Sequence, residues 1–331
     1  MFPVRSSILS PGAMVERVLP KYALPEPRSC RLISRSMNDV YQVTAGAETY
    51  FLRVSGFGWR SRDATAAELA LIADLYARGV AVAPAMPRDD GALLASLPAP
   101  EGERFAVLFA QAAGAPVRDI TLRQAHSYGR LAAALHTAAD ASPTTYRRFD
   151  LDECHLLDEP LRAVRAAMLN VDGGDDLVFL ESVAERVRRR LRAFPRTQPG
   201  YGLCHGDLHP GNVSFDAAGA PTLFDFDCMG YGWRAYDLTV FLWNAFGERR
   251  PKQWRESRWR AFLRGYREVR PLPEELDEAL PLFLVARQLW LAGLDSADRS
   301  GWPPQWLTAD WLRDTVRPVR TWVAEYPILA G

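Results

Sequence analysis

Leu203-Cys-His-Gly-Asp-Leu-His-Pro-Gly-Asn-Val-Ser-Phe215, followed past the turn Ala217-Ala-Gly-Ala-Pro221 by Thr222-Leu-Phe-Asp-Phe-Asp227, decides how this chain folds. Three polar residues, Asp207, Asn212 and Asp225, sit in a run otherwise built to be buried. Phosphoryl transfer needs such a set: a carboxylate to orient the attacking hydroxyl and take its proton, and an amide oxygen with a second carboxylate to hold Mg²⁺ on the phosphates.

The rest of the chain has the size and composition of an enzyme. At 331 residues it exceeds one simple core, so two lobes are expected. Hydrophobic residues make up 48% and charged residues 24%, ordinary globular usage. Lys plus Arg equals Asp plus Glu at 40 each, so no net charge draws the chain to nucleic acid or an anionic membrane. The N-terminal stretch lacks an apolar signal region, and no run reaches the ~18 apolar residues of a membrane span, so a cytoplasmic protein is expected. Cys30, Cys154, Cys204 and Cys228 are widely spaced and read as reduced.

Punctuation by Gly and Pro marks the elements. Residues 40–44 and 49–54 are β-branched and aromatic runs around Ala45-Gly46-Ala47, a hairpin signal in a β-rich N-terminal part. Leu69, Ile72, Ala73 and Tyr76 give residues 64–78 one helical face, with Gly79 as its stop and Glu68 inside it. Residues 105–110 read as a buried strand running into the turn Ala113-Gly114-Ala115-Pro116, a candidate hinge. Thr121 and Gln124 form a capping-box pattern. Beyond it helices dominate, broken by a loop at 141–146 and by the β-like 201–227; later helices are expected over 236–246, 254–269, 276–294 and 306–324.

The five-residue step from Asp207 to Asn212 is that of the protein-kinase catalytic loop, His-Arg-Asp, four residues, Asn. His205-Gly-Asp-Leu-His-Pro-Gly-Asn212 with Leu223-Phe-Asp-Phe-Asp227 resembles the aminoglycoside phosphotransferase and choline kinase-like superfamily, with the type II homoserine kinase and stress-response kinase branch as the nearest placement. The resemblance covers roughly residues 30 to 295. It implies an α+β, bilobal protein-kinase-like fold: a nucleotide-binding lobe over 1–112 and a mainly helical catalytic and acceptor-binding lobe over 113–331.

Residue by residue, the resemblance makes Asp207 the catalytic base and Asn212 and Asp225 the Mg²⁺ ligands. His205 and His209 are packing residues of the loop, with phosphate or substrate contact as the alternative. Asp227 supports the metal ligands, and Asp237 accepts backbone N–H bonds from the loop. Arg53, in Tyr50-Phe-Leu-Arg-Val, stands where the family usually has a Lys, or in some branches an Arg, facing the ATP phosphates, and Glu68 is its partner. Its planar fork is not a simple replacement for an ammonium. The loop 34–41 would cover the phosphates although it lacks G-x-G-x-x-G, and the main chain of Ala110 and Ala112 would meet the adenine edge.

ATP and Mg²⁺ are therefore the expected cofactors, and the expected partner is a small molecule with a hydroxyl: an aminoglycoside, amino alcohol, sugar or hydroxy amino acid. Two other readings stay open, a Ser/Thr protein kinase and an inactive nucleotide-binding scaffold. The short stretch from Asp225 to Asp237, with no A-P-E element, favours a small acceptor over a peptide. Arg287, Trp290 and the segment 302–311 are the expected acceptor wall. The acidic group Asp150, Asp152, Glu153, Asp158 and Glu159 would suit a cationic acceptor or simply a solvated loop. Oligomeric state is not legible.

Overall fold

A tight turn at Gly46, whose φ of 57° suits glycine, joins two strands of β-branched and aromatic residues and starts the sheet of the N-terminal region. The computed structural model describes residues 2–142, 148–169, 171, 173–247, 250–297 and 306–330. Along the chain run α1 (Pro11–Arg17), β1 (Arg28–Arg35), β2 (Asn38–Ala45), β3 (Glu48–Ser55), α2 (Arg62–Ala77), β4 (Ala95–Ala99), β5 (Gly102–Ala110) and β6 (Ala115–Pro116). Next come α3 (Leu122–Asp140), β7 (Asp150–Leu151), α4 (Glu159–Ala167), α5 (Gly174–Leu191), β8 (Tyr201–Cys204), β9 (Val213–Phe215), β10 (Pro221–Leu223) and β11 (Gly230–Trp233). Helices α6 (Arg234–Gly247), α7 (Lys252–Val269), α8 (Glu274–Glu278), α9 (Leu280–Ser296) and α10 (Ala309–Glu325) complete it.

Two compact units result, and they are interleaved in sequence. The first takes Met1–Ala115, Ser142–Tyr146 and Val213–Asp227; the second takes Pro116–Ala141, Arg147–Asn212 and Cys228–Gly331. The sequence reading instead draws one boundary, between 112 and 113.

The first unit is built on a five-stranded sheet in the order β1-β2-β3-β5-β4, every neighbour antiparallel. Alternation sorts its faces. Tyr41, Val43, Leu52, Val54, Ala106 and Leu108 join Met14 of α1 and Val18 just after it in one core. Val107 packs with Leu69 of α2 in another. Arg53 lies between Leu52 and Val54 in sequence, so it projects to the α2 side. Helix α2 starts where Ser61 accepts from Ala64 N at 3.1 Å. The strands β9 and β10 pair antiparallel, and Leu223 bonds back to residues 81–83: Ala83 N to Leu223 O at 2.8 Å and Leu223 N to Ala81 O at 2.9 Å.

In the second unit α3 packs along α7, and the approach is close: a Cβ on Gly129 would stand 1.9 Å from Phe262 O. The capping box at Thr121 and Gln124 is present on both sides. Helix α9 is apolar nearly all round, as a central buried helix must be, and Leu282, Phe283, Leu284, Val285, Ala286 and Leu289 all enter the core. The single helix expected over 276–294 is in fact two, α8 and α9, divided at Ala279. Pro281 favours the break, because a residue without an N–H is best placed in the first turn of a new helix. A three-stranded sheet, β7-β11-β8, pairs Gly230 with Cys204 and so fixes where the catalytic loop leaves β8. The four cysteines form no disulfide. Among the described residues, no helix is long and apolar enough to cross a membrane.

Candidate active site

In the second unit, the loop after β8 is held from behind by one carboxylate. Asp237, in the first turn of α6 and fully buried, accepts from His205 N and from Gly206 N, both at 2.7 Å. Its Oδ2 also lies 3.0 Å from His136 Nε2. Since a carboxylate only accepts, that imidazole nitrogen carries the proton, and Nδ1 accepts from Tyr266 Oη at 2.9 Å. Burial, reinforced by Arg234, pushes the His136 pKa down to about 4, against the pull of Asp237. The Asp237 carboxyl stays below its usual range: burial works against this, and His136 with the loop amides overcomes it. His136, Cys204 and Asp237 would be a metal-ligand trio by type. The imidazole and carboxylate are spent on these hydrogen bonds, so the cluster is a scaffold.

Gly206 turns the loop with a φ of 82°, and a Cβ there would stand 2.0 Å from Cys228 O, so no other residue fits. His205 is buried, and its Nδ1 accepts from Asp207 N at 3.2 Å. His209 Nδ1 accepts from Gly211 N at 3.0 Å, while its Nε2 lies 3.5 Å from Asp207 Oδ2. Asn212 closes the loop, donating from Nδ2 to Asp207 O at 2.9 Å and to Asp207 Oδ2 at 3.1 Å. Its carbonyl oxygen is left for another partner.

Arg287 of α9 forms an ion pair with Asp207 Oδ1. Sequence reading placed it on an acceptor wall without seeing this contact. Desolvation raises the Asp207 pKa, but Arg287 first and then His209 outweigh it, and the carboxyl is held far below the usual carboxylate range. The guanidinium lies over two indoles, 4.7 Å from the Trp290 ring centre and 5.7 Å from that of Trp243. Trp243 was not anticipated; it sits inside the apolar pattern of α6, where nothing distinguishes it from core. Trp290 donates to His155 Nε2 at 3.1 Å. Of the expected wall at 302–311, Trp302 lies outside the described residues. Trp306 is 63% exposed and Trp311 packs against the main core. The acidic group near residue 155 is neutralised in part, since Glu153 pairs with Arg196 and Asp158 with Arg188.

In the first unit, Arg53 and Glu68 form a bidentate buried pair, Nη1–Oε1 and Nη2–Oε2 both at 2.8 Å. Burial lowers the Arg53 pKa, and Glu68, Asp227 and Asp225 more than restore it, so the guanidinium is permanently charged. Nη1 also reaches Asp225 Oδ1 at 3.4 Å. Asp225 is the one described non-glycine residue with positive φ, 62°, and its side chain is 47% exposed. Asp227 differs. Its Oδ2 accepts from Trp59 Nε1 at 2.5 Å and Asn38 Nδ2 at 3.2 Å, and its Oδ1 from Arg60 Nε at 3.3 Å. These ties pin the start of β2 and the approach to α2 onto the segment carrying Asp225. Ala110 N already donates to Pro84 O at 3.0 Å, which leaves only its carbonyl for a base edge.

An antiparallel N-terminal sheet, a helical remainder and an Asp-x₄-Asn loop define a kinase-like phosphoryl-transfer enzyme. The model of the phosphotransferase enzyme family matches residues 29–272, and the chain belongs to that family. It is a phosphotransferase whose acceptor group is a hydroxyl. An uncharacterized protein of Deinococcus radiodurans is 41% identical over 88% of this chain and 84% of its own. Amicoumacin kinase of Bacillus subtilis is 26% identical over 80% of this chain and 79% of its own, and homoserine kinase of Rhizobium etli 31% over 65% and 63%. Among solved structures, a microcompartment-associated aminopropanol kinase superposes with a TM-score of 0.76 at 24% identity, covering 96% of this chain and 100% of its own. The amicoumacin kinase hAmiN, in complex with AMP-PNP, Ca²⁺ and Ami, gives 0.78 at 22%, covering 95% and 94%. These two likenesses establish the kinase-like fold.

Proposed function

We propose that this protein transfers the γ-phosphoryl group of ATP, with Mg²⁺, to the hydroxyl of a small molecule. The observation that carries the reading is the loop 205–212: a carboxylate, Asp207, held at fixed geometry by Asn212 at one end and by the Asp237 anchor behind it. Asp207 orients the acceptor hydroxyl and takes its proton as the oxygen bonds to the γ-phosphorus and the bond to the ADP oxygen breaks. The donors suit a hard cation: the Asn212 carbonyl oxygen and the half-exposed Asp225 carboxylate are oxygen ligands of the kind Mg²⁺ takes. Mg²⁺ held by such ligands would neutralise charge on the phosphates. Arg53, fixed by Glu68, serves the phosphates, and the Ala110 carbonyl with the Ala112 main chain serves the adenine.

Relatives named for amicoumacin and homoserine, and neighbours named for aminopropanol, support a small acceptor. So does the chain after Asp227, where β11 begins at Gly230 and α6 at Arg234, leaving no long segment to seat a peptide. The test is ATP consumption against a panel of hydroxylated metabolites and aminoglycosides, with mass detection of the product, for wild type beside Asp207→Asn. Asp207-dependent phosphorylation of a small alcohol is expected. Incorporation into cell-extract protein alone would make this a protein kinase.

A further inference from the structure

We infer that Arg287 is a carboxylate-binding residue, and that the acceptor is a hydroxy acid whose carboxylate draws this guanidinium away from Asp207. The inference rests on the phosphotransferase reading and names its substrate class. Arg287 projects from the most apolar helix of the second unit, and its side chain is only 4% exposed. One donor, Nη2, is spent on Asp207, whereas Nε and Nη1 are buried with no hydrogen-bond partner. Orphaned donors on a buried charge are rare and unfavourable, and they mark a group shaped for something else. The nearby Tyr236 hydroxyl is close enough to interact with the guanidinium, but it completes no hydrogen bond of good geometry with Arg287 Nε or Nη1.

Chemistry narrows the partner to an anion. A guanidinium over two fixed indoles, Trp243 held by Gln288 at 2.9 Å and Trp290 by His155, offers a planar fork that carboxylate matches with two parallel bonds. An ammonium would meet like charge. The contact also explains an otherwise poor arrangement for a base. Asn212 donates to Asp207 Oδ2 and Arg287 pairs with Oδ1, so an incoming hydroxyl has to share the carboxylate with both. A carboxylate on the acceptor competes for Arg287 and frees Asp207 Oδ1 to meet the hydroxyl. An acceptor without that charge leaves the base engaged.

The test uses the full chain and matched probes: 4-hydroxybutyrate and L-homoserine, their primary amides, and the ammonium alcohols ethanolamine and choline. Binding is read by tryptophan fluorescence and transfer by mass detection of the phosphorylated product. Wild type should bind each acid at least about tenfold more tightly than its amide. Arg287→Gln should level the two, and Arg287→Lys should keep part of the difference. Amides or ammonium alcohols bound as well as the acids, or no saturable binding of either acid at millimolar concentration, would overturn the inference. So would an acid preference that survives in Arg287→Gln. If that variant does not fold, the wild-type acid-to-amide ratio still decides. The phosphotransferase reading fails separately, by loss of any ATP turnover that depends on Asp225.

Discussion

Asp237→Asn tests how the catalytic loop is held. The carboxylate accepts two backbone N–H bonds at 2.7 Å, one on each oxygen, and a third bond from His136 at 3.0 Å, all fully buried. An amide has one carbonyl oxygen. It can keep the bond to His205 N or to Gly206 N, but its NH₂ then faces the other donor. Losing one charge-assisted bond costs about 1.5–3 kcal/mol, and stranding a buried donor about 1–3 more, so roughly 3–6 kcal/mol is expected. Against an ordinary domain stability of about 5–15 kcal/mol, the variant folds but is visibly weakened. Nine of the ten tryptophans lie at 233–322, so urea unfolding followed by tryptophan fluorescence reports on the second unit. The midpoint should fall with an unchanged slope, and turnover should fall with it because Asp207 follows His205 and Gly206. A change worth under about 1 kcal/mol, with turnover intact, would refute the idea that Asp237 sets the loop.

Asp207→Asn should leave the melting temperature near wild type and lower kcat by about 10²–10⁴, measured by coupled ADP release; near-normal turnover would remove Asp207 as the base. Arg53→Met leaves Glu68 buried without its bidentate partner and should cost about 3–5 kcal/mol, whereas adding Glu68→Leu should recover much of that; equal loss in both variants counts against the pair. His136 stays neutral in the fold down to about pH 4 but takes up a proton near 6.5 when unfolded, so the unfolded state binds more protons between those values. Stability should therefore fall as pH drops from 6.5 toward 4, by about 3 kcal/mol at 1.36 kcal/mol per unit; the same pH slope in His136→Gln would assign the loss elsewhere.

What the sequence made legible was local. The hairpin of β2 and β3, the span of α2, the capping box of α3, and helices α6, α7 and α10 all announce themselves through periodicity or a stop signal, with ends shifted by a few residues; of the face expected for α2, Leu69 and Ile72 are buried but Ala73 and Tyr76 are exposed. The split between α8 and α9 was hidden because Pro281 lies in a run of otherwise unbroken apolar spacing. Strand β1 escaped notice because Arg28-Ser-Cys-Arg-Leu-Ile-Ser-Arg35 is an edge strand, mostly exposed, with little apolar alternation. At the site, the Asp-x₄-Asn step carried its own signature. The tie of Asp227 to Trp59 and Arg60, or of Asp207 to Arg287, spans 168, 167 and 80 residues. Pairings at such separation leave no trace in spacing, since they are set by how whole elements pack.

The interleaving of the two units has a consequence for how the chain is made. Strand β5 ends at Ala110, yet the backbone groups of Ala81 and Ala83 find their partner only in Leu223. At about 5–20 residues per second, a ribosome needs on the order of 5–20 s to supply that residue after β5 has been synthesised. Through that interval the newborn sheet carries an unfinished border of donors and acceptors, open to wrong pairing or to a chaperone. A fragment cut at 112 would remain permanently in that condition.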